Sequence, residues 1–514
     1  MKKMLVSLML TGAMVLSVGS LVGCGKGFDT SENTLIIEVF EGGYGTTWAT
    51  RLGELFEEKN PGKSVVVVPN PALTNATVES QIKAGPQYTY TDLYFGTILN
   101  FSQWIAAGDE MYPGYDLALE DLGDVVDDID LASEFESFFT DAVHQTQYAL
   151  PWASGANGIV YHADVFRDKG WEVPKTTDQL IALCETIKAD PEEWVPNTWP
   201  GGIGYWMYCT FPWWAQYEGL DNYHKFFTAK DDQGNYSDVQ FQQVGRLESM
   251  KVLEALVDYE SDNSFEGSLS FNHTESQLKF FDKEVNKIAM IPNGDWLENE
   301  MKSQNIPTDY EIAMMKTPII SSIVDNLEEV KTEEDLIKVI SYIDGDEGAT
   351  LPDGITEEHP DYLRIKEARS ITYSGGFTHN AVIPAYANAK DLAKDFLRLM
   401  YSEEGQQIYF EETGGFLPTQ SDLASDPDNV ASMTPFQKSV NSITADMTGI
   451  TWVYYNDPIF YKAGLMAYNR TIYAESVLGA IGQDKQTAAE YIKNEYDYVH
   501  ERFEDYKISA GILS

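Results

Sequence analysis

Two glycine-rich segments follow candidate β-strands and have the composition of phosphate-binding loops. They occupy residues 41–45 and 96–100. A dinucleotide fingerprint needs a further glycine where this chain has Trp48, and a mononucleotide loop needs glycine, lysine and then serine or threonine. Neither requirement is met, so we expect no bound nucleotide at these loops.

The residues capable of acid, base or nucleophilic chemistry do not match the sequence spacing of a catalytic motif. The seven histidines never form the His-Glu-x-x-His pattern, and no Gly-x-Ser-x-Gly run marks a serine nucleophile. The 81 acidic residues would supply a carboxylate pair almost anywhere, so no acid and base are assigned. The acidic run at 344–349 fails the calcium-loop template, because its fifth position is Gly348 and its sixth is Ala349. We expect no metal and no cofactor.

The charge balance limits the partners. The chain has 35 Lys and Arg against 81 Asp and Glu, a net charge of −46. A negative field of this size repels nucleic acid and anionic lipid headgroups, and the sequence has no arginine cluster for an anionic small molecule. The 30 tyrosines and 11 tryptophans have apolar faces and polar edges, which suit neutral hydroxylated ligands as well as protein cores.

The first residues have the pattern of an export signal. Lys2 and Lys3 precede an apolar run at 4–22, and Leu-Val-Gly leads into Cys24, which resembles a bacterial lipobox. In such a motif the cysteine is acylated by a diacylglyceryl group and becomes the new amino terminus. A transmembrane anchor is the alternative, but the run is short for one and lacks a basic flank. We predict a signal peptide at 1–23, a lipidated linker at 24–33 and a cell-membrane protein facing outwards.

The mature chain is even more acidic. Removal of Lys2 and Lys3 leaves 33 basic against 81 acidic residues, or −48. Only Cys184 and Cys209 then remain beside Cys24. A buried free thiol at Cys184 and a disulfide with Cys209 are both compatible with an exported protein.

Strands and helices alternate in the first part of the chain. The pattern predicts strands at Thr34–Phe40, 64–68 and 92–95, with helices at 48–60 and 76–84 between them. The four valines at 65–68 predict a strand buried on both faces. This order is typical of a parallel sheet covered by helices, in which ligands bind beyond the carboxyl ends of the strands.

An ordered set of short motifs resembles the extracellular solute-binding proteins of carbohydrate ABC importers, the maltose-binding-protein-like family. The motifs share their order with that family and extend over most of the chain: DLYFG at 92–96, LEDL at 119–122, YALPW at 148–152, GIVY at 158–161, ADVF at 163–166, IAMIPNGDW at 288–296, NAKDLAKDFL at 388–397 and GGFLPT at 414–419. Two stretches, 319–371 and 433–451, do not follow the family pattern.

The resemblance implies an α/β fold of the periplasmic-binding-protein type, with two lobes, a hinge and a ligand cleft. By motif order the first lobe comprises 34–152 and 314–402, and the second comprises 153–313 and 403–514. The acidic, turn-rich stretch 319–371 is expected to be a solvated insertion.

The resemblance also implies which residues contact the ligand. Aromatic rings would stack on sugar faces while amides and carboxylates pair with hydroxyls. The matching positions are Trp296, Asp295, Asn293, Trp213, Trp214, Tyr217, Glu41, Tyr44, Tyr94, Phe95, Asn100, Trp452, Tyr455 and Phe460. Because Trp213 and Trp214 are adjacent, we expect one to face the core and the other the cleft.

Two functions are compatible with these observations. The favoured one is a non-enzymatic, monomeric lipoprotein that captures a neutral oligosaccharide and delivers it to the permease subunits of an ABC transporter. The alternative is a secreted polysaccharide-active glycoside hydrolase, which would share the export signal, the acidity and the aromatic content.

Overall fold

The computed structural model describes residues 31–99, 101, 104–105, 116–141, 144–304, 306–419, 422–452, 457–461, 463–465 and 473–513. The predicted signal peptide at 1–23, the lipidation residue Cys24 and the predicted site residues Asn100 and Tyr455 lie outside them.

The described strands form two mixed sheets. In chain order they are β1 (Thr34–Phe40), β2 (Ser64–Asn70), β3 (Leu93–Thr97), β4 (Leu150–Pro151), β5 (Ala156–His162), β6 (Val195–Asn197), β7 (Ile288–Gly294), β8 (Ile312–Met314), β9 (Ile371–Ser374), β10 (His379–Val382) and β11 (Thr448–Ile450). The first sheet has the order β2-β1-β3-β10-β4 and the second the order β11-β9-β5-β7-β6, with β8 paired to β5.

Helices surround both sheets. Those in the described residues are Thr47–Lys59, Asn75–Ala84, Gly123–Val126, Ser133–Phe139, Ala163–Lys169, Thr177–Lys188, Met207–Glu218, Leu220–Phe226, Val244–Val257, His273–Phe281, Lys283–Asn286, Leu297–Met301, Glu333–Ile343, Pro360–Ser370, Lys390–Tyr401, Glu403–Thr413, Pro427–Ser432, Pro435–Thr444, Pro458–Tyr461, Glu475–Leu478 and Ala488–Ser509. Within the described chain, none of them combines the length and apolarity that a bilayer span requires.

The first sheet follows the sequence pattern closely. β1 pairs in parallel with β2, with Thr34 opposite Ser64, and with β3, with Ile37 opposite Leu93. The predicted parallel sheet is therefore confirmed. The prediction that the valines of β2 are buried on both faces is wrong: they are half-buried, because β2 is the edge strand of its sheet.

Within the described residues the chain crosses between the lobes three times, and two of these crossings are short segments next to each other. The two short segments run from β4 to β5 and from β9 back to β10, and the third crossing lies between helix Glu403–Thr413 of the first lobe and β11 of the second. Ala156 pairs with Ser374, and Asn380 pairs with Pro151. Two adjacent crossings of this kind are the geometry of a hinge.

The return crossing lies later in the chain than the motif order predicts. β8 and β9 both belong to the second sheet, so residues 314–374 are part of the second lobe rather than the first. The helix Glu403–Thr413 packs in the first lobe, where Arg51 pairs with Glu411 and Glu412 at 2.9 and 2.6 Å. The predicted lobe boundaries at 313/314 and 402/403 therefore do not coincide with the lobes that the two sheets and their helices define.

The stretch 319–371 is not a solvated insertion. Its helices Glu333–Ile343 and Pro360–Ser370 bury Leu336, Val339 and Ile365 against the core of the second lobe. Asp344, which resembled a calcium ligand, instead binds the guanidinium of Arg369 at 2.8 Å. The stretch is acidic overall, but the apolar residues of helix Glu333–Ile343 recur at helical spacing and form one buried face.

The apolar core is continuous between the lobes. One cluster of buried residues contains Leu35 and Leu93 of the first sheet together with Phe211 and Tyr373 of the second lobe. A second cluster fills the second lobe behind helix Thr177–Lys188 and contains Cys184. Cys184 and Cys209 are both free and buried, so the possible disulfide is not formed.

Candidate functional site

Two loops, one from each sheet, meet at the junction of the lobes. The loop after β1 carries Gly43 and Tyr44, and the turn after β7 carries Asp295 and Trp296. The Asn299 side-chain amide donates to the backbone oxygen of Gly43 at 2.9 Å and ties the two loops together. The residues that meet here therefore come from opposite lobes.

Tyr44 is the centre of this junction. Its hydroxyl donates to Asp295 Oδ1 at 2.6 Å, and the residue is only 4% exposed. Its ring packs edge-on against Trp152, Trp296 and His379, with ring centroids 5.6, 5.9 and 5.5 Å away. Edge-to-face packing of this kind stabilises aromatic clusters beyond the apolar area that they bury.

Trp296 closes the cluster from the second lobe. It is 8% exposed and packs edge-on against Tyr208, whose ring centroid is 6.0 Å away. Its ring lies so close to Gly43 and Gly294 that a Cβ atom on either glycine would approach ring atoms to 2.4 and 2.2 Å. The absence of a side chain at Gly43 lets the two loops approach, and its absence at Gly294 leaves room for the ring of Trp296 within its own turn.

Asp295 is an acidic group among aromatic rings. Part of its surface reaches solvent, but protein atoms enclose the carboxylate. This desolvation raises the pKa of Asp295 to about 7, although the hydrogen bond from Tyr44 acts in the opposite direction. Burial also raises the pKa of Tyr44, Tyr208 and Tyr409 well above the usual value, so these phenols are neutral donors.

His379 begins β10 beside the hinge. Its Nδ1 donates to the backbone oxygen of Gly375 at 2.9 Å, which leaves Nε2 as an acceptor on the neutral ring. Burial lowers the pKa of His379 to about 4. The imidazole is therefore a neutral member of the aromatic cluster near pH 7.

The cluster offers aromatic faces, phenol donors and two acceptors. Within the part of the chain that the structure describes, no group of three or more His, Cys, Asp or Glu side chains is arranged to hold a metal ion. Aromatic faces beside a few hydrogen-bonding groups are suited to binding a molecule that has both C–H faces and hydroxyls.

The structure brings three of the predicted site residues together: Tyr44, Asp295 and Trp296. Glu41 lies on the same loop as Tyr44 but is exposed. The remaining described candidates lie elsewhere, and Asn100 and Tyr455 are outside the described residues.

The adjacent tryptophans are both in the core. Trp213 and Trp214 are 0% exposed; Trp213 donates its indole N–H to Pro318 O at 3.1 Å, and Trp214 donates to Gln243 Oε1 at 2.7 Å. The prediction that one of them faces the cleft is wrong. Their helix, Met207–Glu218, is covered by protein on all sides, so neighbouring positions are buried equally.

Three further candidates are buried within their sheets. Tyr94 donates to Gln81 Oε1 at 2.8 Å on one side of β3, and Phe95 packs under Trp48 at 5.1 Å. Asn293 is 0% exposed within β7, and its Oδ1 accepts from the backbone N–H of Gly294 at 2.9 Å.

The other described candidates lie in the second lobe away from this junction. Tyr217 lines an open groove of about 840 Å³. Phe460 is buried against Phe226 and Phe227, at 6.3 and 6.5 Å between centroids. Trp452 is half-buried and packs on the shared core.

Sequence reasoning missed Tyr208, His379 and Tyr409 and assigned Trp152 no contact role. Trp152 ends a recognised motif at the first crossing, so its position was a usable signal. Tyr208 stands five residues before Trp213 on the same helix and lies outside the recognised motifs. Nothing in the local sequence distinguishes His379 or Tyr409.

A side chain at Gly43 is expected to hold the lobes apart. The added Cβ of Gly43→Ala would lie 2.4 Å from Cδ1 and Cγ of Trp296, and overpacking of this degree costs about 1–3 kcal/mol. We expect a five-fold or greater loss of ligand affinity in calorimetry, with little change in melting. Gly202→Ala is the matched control, because its Cβ would meet nothing within 4 Å. Equal affinity of the two variants would contradict the close approach of the loops.

Two α/β lobes, a two-segment hinge and a ring-lined junction define a binding protein that encloses its ligand between lobes. The chain belongs to the bacterial extracellular solute-binding proteins, because the model of that family matches residues 42–407. The predicted fold and the predicted family are thereby confirmed.

Individual relatives are distant. The multiple sugar-binding protein of Streptococcus mutans is 27% identical over 188 residues, which are 34% of this chain and 39% of that protein. The GacH receptor of Streptomyces glaucescens, solved unliganded and with acarbose, has a TM-score of 0.60 at 16% identity over 92% of this chain and 99% of its own. Maltose-bound MalE3 of T. maritima also has a TM-score of 0.60, at 15% identity over 91% and 99%.

Proposed function

We propose that this protein captures a neutral oligosaccharide in the cleft between its lobes and delivers it to the permease subunits of an ABC importer. The observation that carries the proposal is the meeting of Tyr44 and Trp296 from opposite lobes beside Asp295. Aromatic rings provide platforms for sugar C–H faces, and the phenol and carboxyl groups pair with hydroxyls. Family membership and the sugar ligands named for the relatives support this choice.

Charge supports a neutral ligand. Asp295 is the acidic member of the cluster, and its hydrogen-bond partner is a phenol rather than a lysine or arginine. A uronic acid would place a carboxylate in this desolvated site, where no lysine or arginine of the described residues pairs with Asp295 or Tyr44, and an unpaired charge is costly to remove from water. Neutral sugars avoid this cost.

Incubation with oligosaccharides distinguishes capture from hydrolysis. We expect one sugar bound per chain, recovered unchanged after prolonged incubation, because the chain belongs to a family of solute-binding proteins. Chromatography of the sugar after incubation is the measurement. Progressive release of shorter products would instead establish the glycoside hydrolase.

We further propose that the mature protein is anchored through an acylated Cys24. The apolar run before it and the small residues at the cleavage position support this anchor. A diacylglyceryl group supplies two acyl chains, which is the number needed for stable anchoring. The protein would then remain at the outer face of the membrane, near its permease.

Cys24→Ala is expected to release the protein from the membrane or to leave the precursor uncut, because it removes the acylated sulfur. Membrane fractionation with immunodetection measures the result. Cys184→Ala is the matched control, since Cys184 is a buried thiol of the second lobe, and it should sediment like the unaltered protein. A cleaved Cys24→Ala product that still sediments with membranes would contradict the anchor.

A further inference from the structure

Two titratable groups flank Tyr44 at the junction of the lobes. Asp295 belongs to the second lobe and accepts the hydroxyl hydrogen of Tyr44 from the first lobe at 2.6 Å. His379 belongs to the first lobe and lies 6.2 Å, between ring centroids, from Trp296 of the second lobe. His379 also packs on Trp152 and Tyr44 of its own lobe, at 5.1 and 5.5 Å between ring centroids. Each group therefore has one contact from the opposite lobe, and separation of the lobes removes that contact.

The surroundings of these groups lack compensating charge. Asp295 faces the phenols of Tyr44, Tyr208 and Tyr409, which come from three different elements. Glu300 lies near Tyr208 and adds negative charge. No lysine or arginine among the described residues forms an ion pair with Asp295 or His379.

A further carboxyl group lies between the lobes near the hinge. Glu134, from helix Ser133–Phe139 of the first lobe, accepts the backbone N–H of Gly449 in β11 of the second, and burial raises the pKa of Glu134. Phe135 from the same helix stacks on Phe377 at 4.6 Å between centroids. Glu134 adds its own pH dependence to the closing equilibrium of the unaltered protein. The pH profiles of the Asp295 and His379 variants are therefore compared with the profile of the unaltered protein.

Enclosure changes the protonation of the two groups in opposite directions. The pKa of Asp295 rises from its ordinary value of 3.8 to about 7 because burial disfavours the carboxylate. The pKa of His379 falls from 6.5 to about 4 because burial disfavours the imidazolium. Between pH 4 and 6.5, the enclosed groups are therefore a carboxylic acid and a neutral imidazole, whereas the same groups with their ordinary pKa values would be a carboxylate and an imidazolium.

We propose that closing of the lobes takes up one proton from solvent at Asp295 and releases one to solvent at His379, so that both groups are uncharged in the closed cleft. The proposal rests on the proposed function only in requiring that the lobes open and close. The two proton movements oppose each other. Their joint presence keeps the closing equilibrium from becoming steeply pH-dependent in mildly acidic surroundings.

The sign of each contribution follows from proton linkage. A group whose pKa is raised on closing favours the closed form at low pH, and that contribution is lost as the pH rises from 3.8 to 7. A base whose pKa is lowered on closing favours the closed form at high pH, and that contribution is lost as the pH falls from 6.5 to 4. Each contributes at most about a tenfold change in the closing equilibrium per pH unit.

Small-angle X-ray scattering of the ligand-free full-length protein between pH 4.5 and 6.5 tests the proposal through the radius of gyration. Relative to the unaltered protein, Asp295→Asn should become progressively more open as the pH falls, and His379→Gln progressively more closed. The double variant should regain the pH dependence of the unaltered protein. Both substitutions preserve a hydrogen bond, because asparagine still accepts from Tyr44 and glutamine still donates to Gly375 O.

Asp353→Asn, at an exposed position of the second lobe, should follow the unaltered protein. If all variants show the same dependence of the radius of gyration on pH, whether that dependence is steep or flat, the proposal is overturned. No sugar is present in this experiment, so its outcome is independent of whether the protein binds an oligosaccharide.

Discussion

Trp296→Ala is expected to weaken oligosaccharide binding by about 2–4 kcal/mol, the range of an aromatic residue that dominates an interface. Its ring packs on Tyr44 and Tyr208, so its loss removes both a stacking platform and part of the contact between the lobes. Calorimetric titration of the variant with the tightest-binding neutral oligosaccharide measures the loss. The fold should persist, because each lobe keeps its own sheet and the buried apolar residues packed on it.

Trp213→Phe provides the matched control. Trp213 is completely buried within the second lobe and donates to Pro318 O, so its replacement should lower stability and leave affinity unchanged. If Trp296→Ala melts early but binds normally whenever folded, Trp296 is a scaffold residue and the assigned site is wrong.

Loss of the buried ion pair between Arg246 and Glu495 is expected to cause the largest loss of stability. The two side chains are 0% and 1% exposed and join helix Val244–Val257 to helix Ala488–Ser509. Arg246 also donates to Phe241 O at 3.0 Å and lies 5.0 Å from the ring centroid of Phe226. Glu495→Gln leaves the guanidinium buried without its counter-ion, which costs about 3–5 kcal/mol.

Urea denaturation followed by tryptophan fluorescence measures this change. Asp497→Asn is the matched control on the same helix: it removes the exposed pair of Asp497 with Lys493, which contributes at most about 1 kcal/mol. Replacement of both buried partners, as Arg246→Met with Glu495→Leu, should recover much of the loss, because neither charge then remains unpaired. Equal effects of Glu495→Gln and Asp497→Asn would contradict the assigned role of the buried pair.

Strands and helices that depend on the local pattern of apolar and polar residues were predictable from the sequence. The apolar run Thr34–Phe40 forms β1 over those residues, and the alternation of strands and helices produces the parallel pairing of β1 with β2 and β3. Whether a strand lies at the centre or the edge of a sheet depends on strand order, which local pattern does not contain. The valine-rich β2 was therefore mistaken for a strand buried on both faces.

Long-range packing explains the other differences. Residues 319–371 have an acidic composition, but buried Leu336, Val339 and Ile365 place their helices in the second lobe. The site itself forms where residues more than 200 positions apart meet, as Tyr44 meets Asp295. Motif order identified those two residues and Trp296, whereas Tyr208 and His379 are defined by contacts that no local pattern records.

The central claim is that the junction of Tyr44, Asp295 and Trp296 holds a neutral oligosaccharide. Calorimetric titration of the purified protein with a panel of xylo-, manno- and gluco-oligosaccharides tests it most directly. We predict saturable binding of at least one neutral oligosaccharide at one site per chain, lost in Trp296→Ala and kept in Trp213→Phe. Absence of binding across the panel, or full binding by Trp296→Ala, would contradict it.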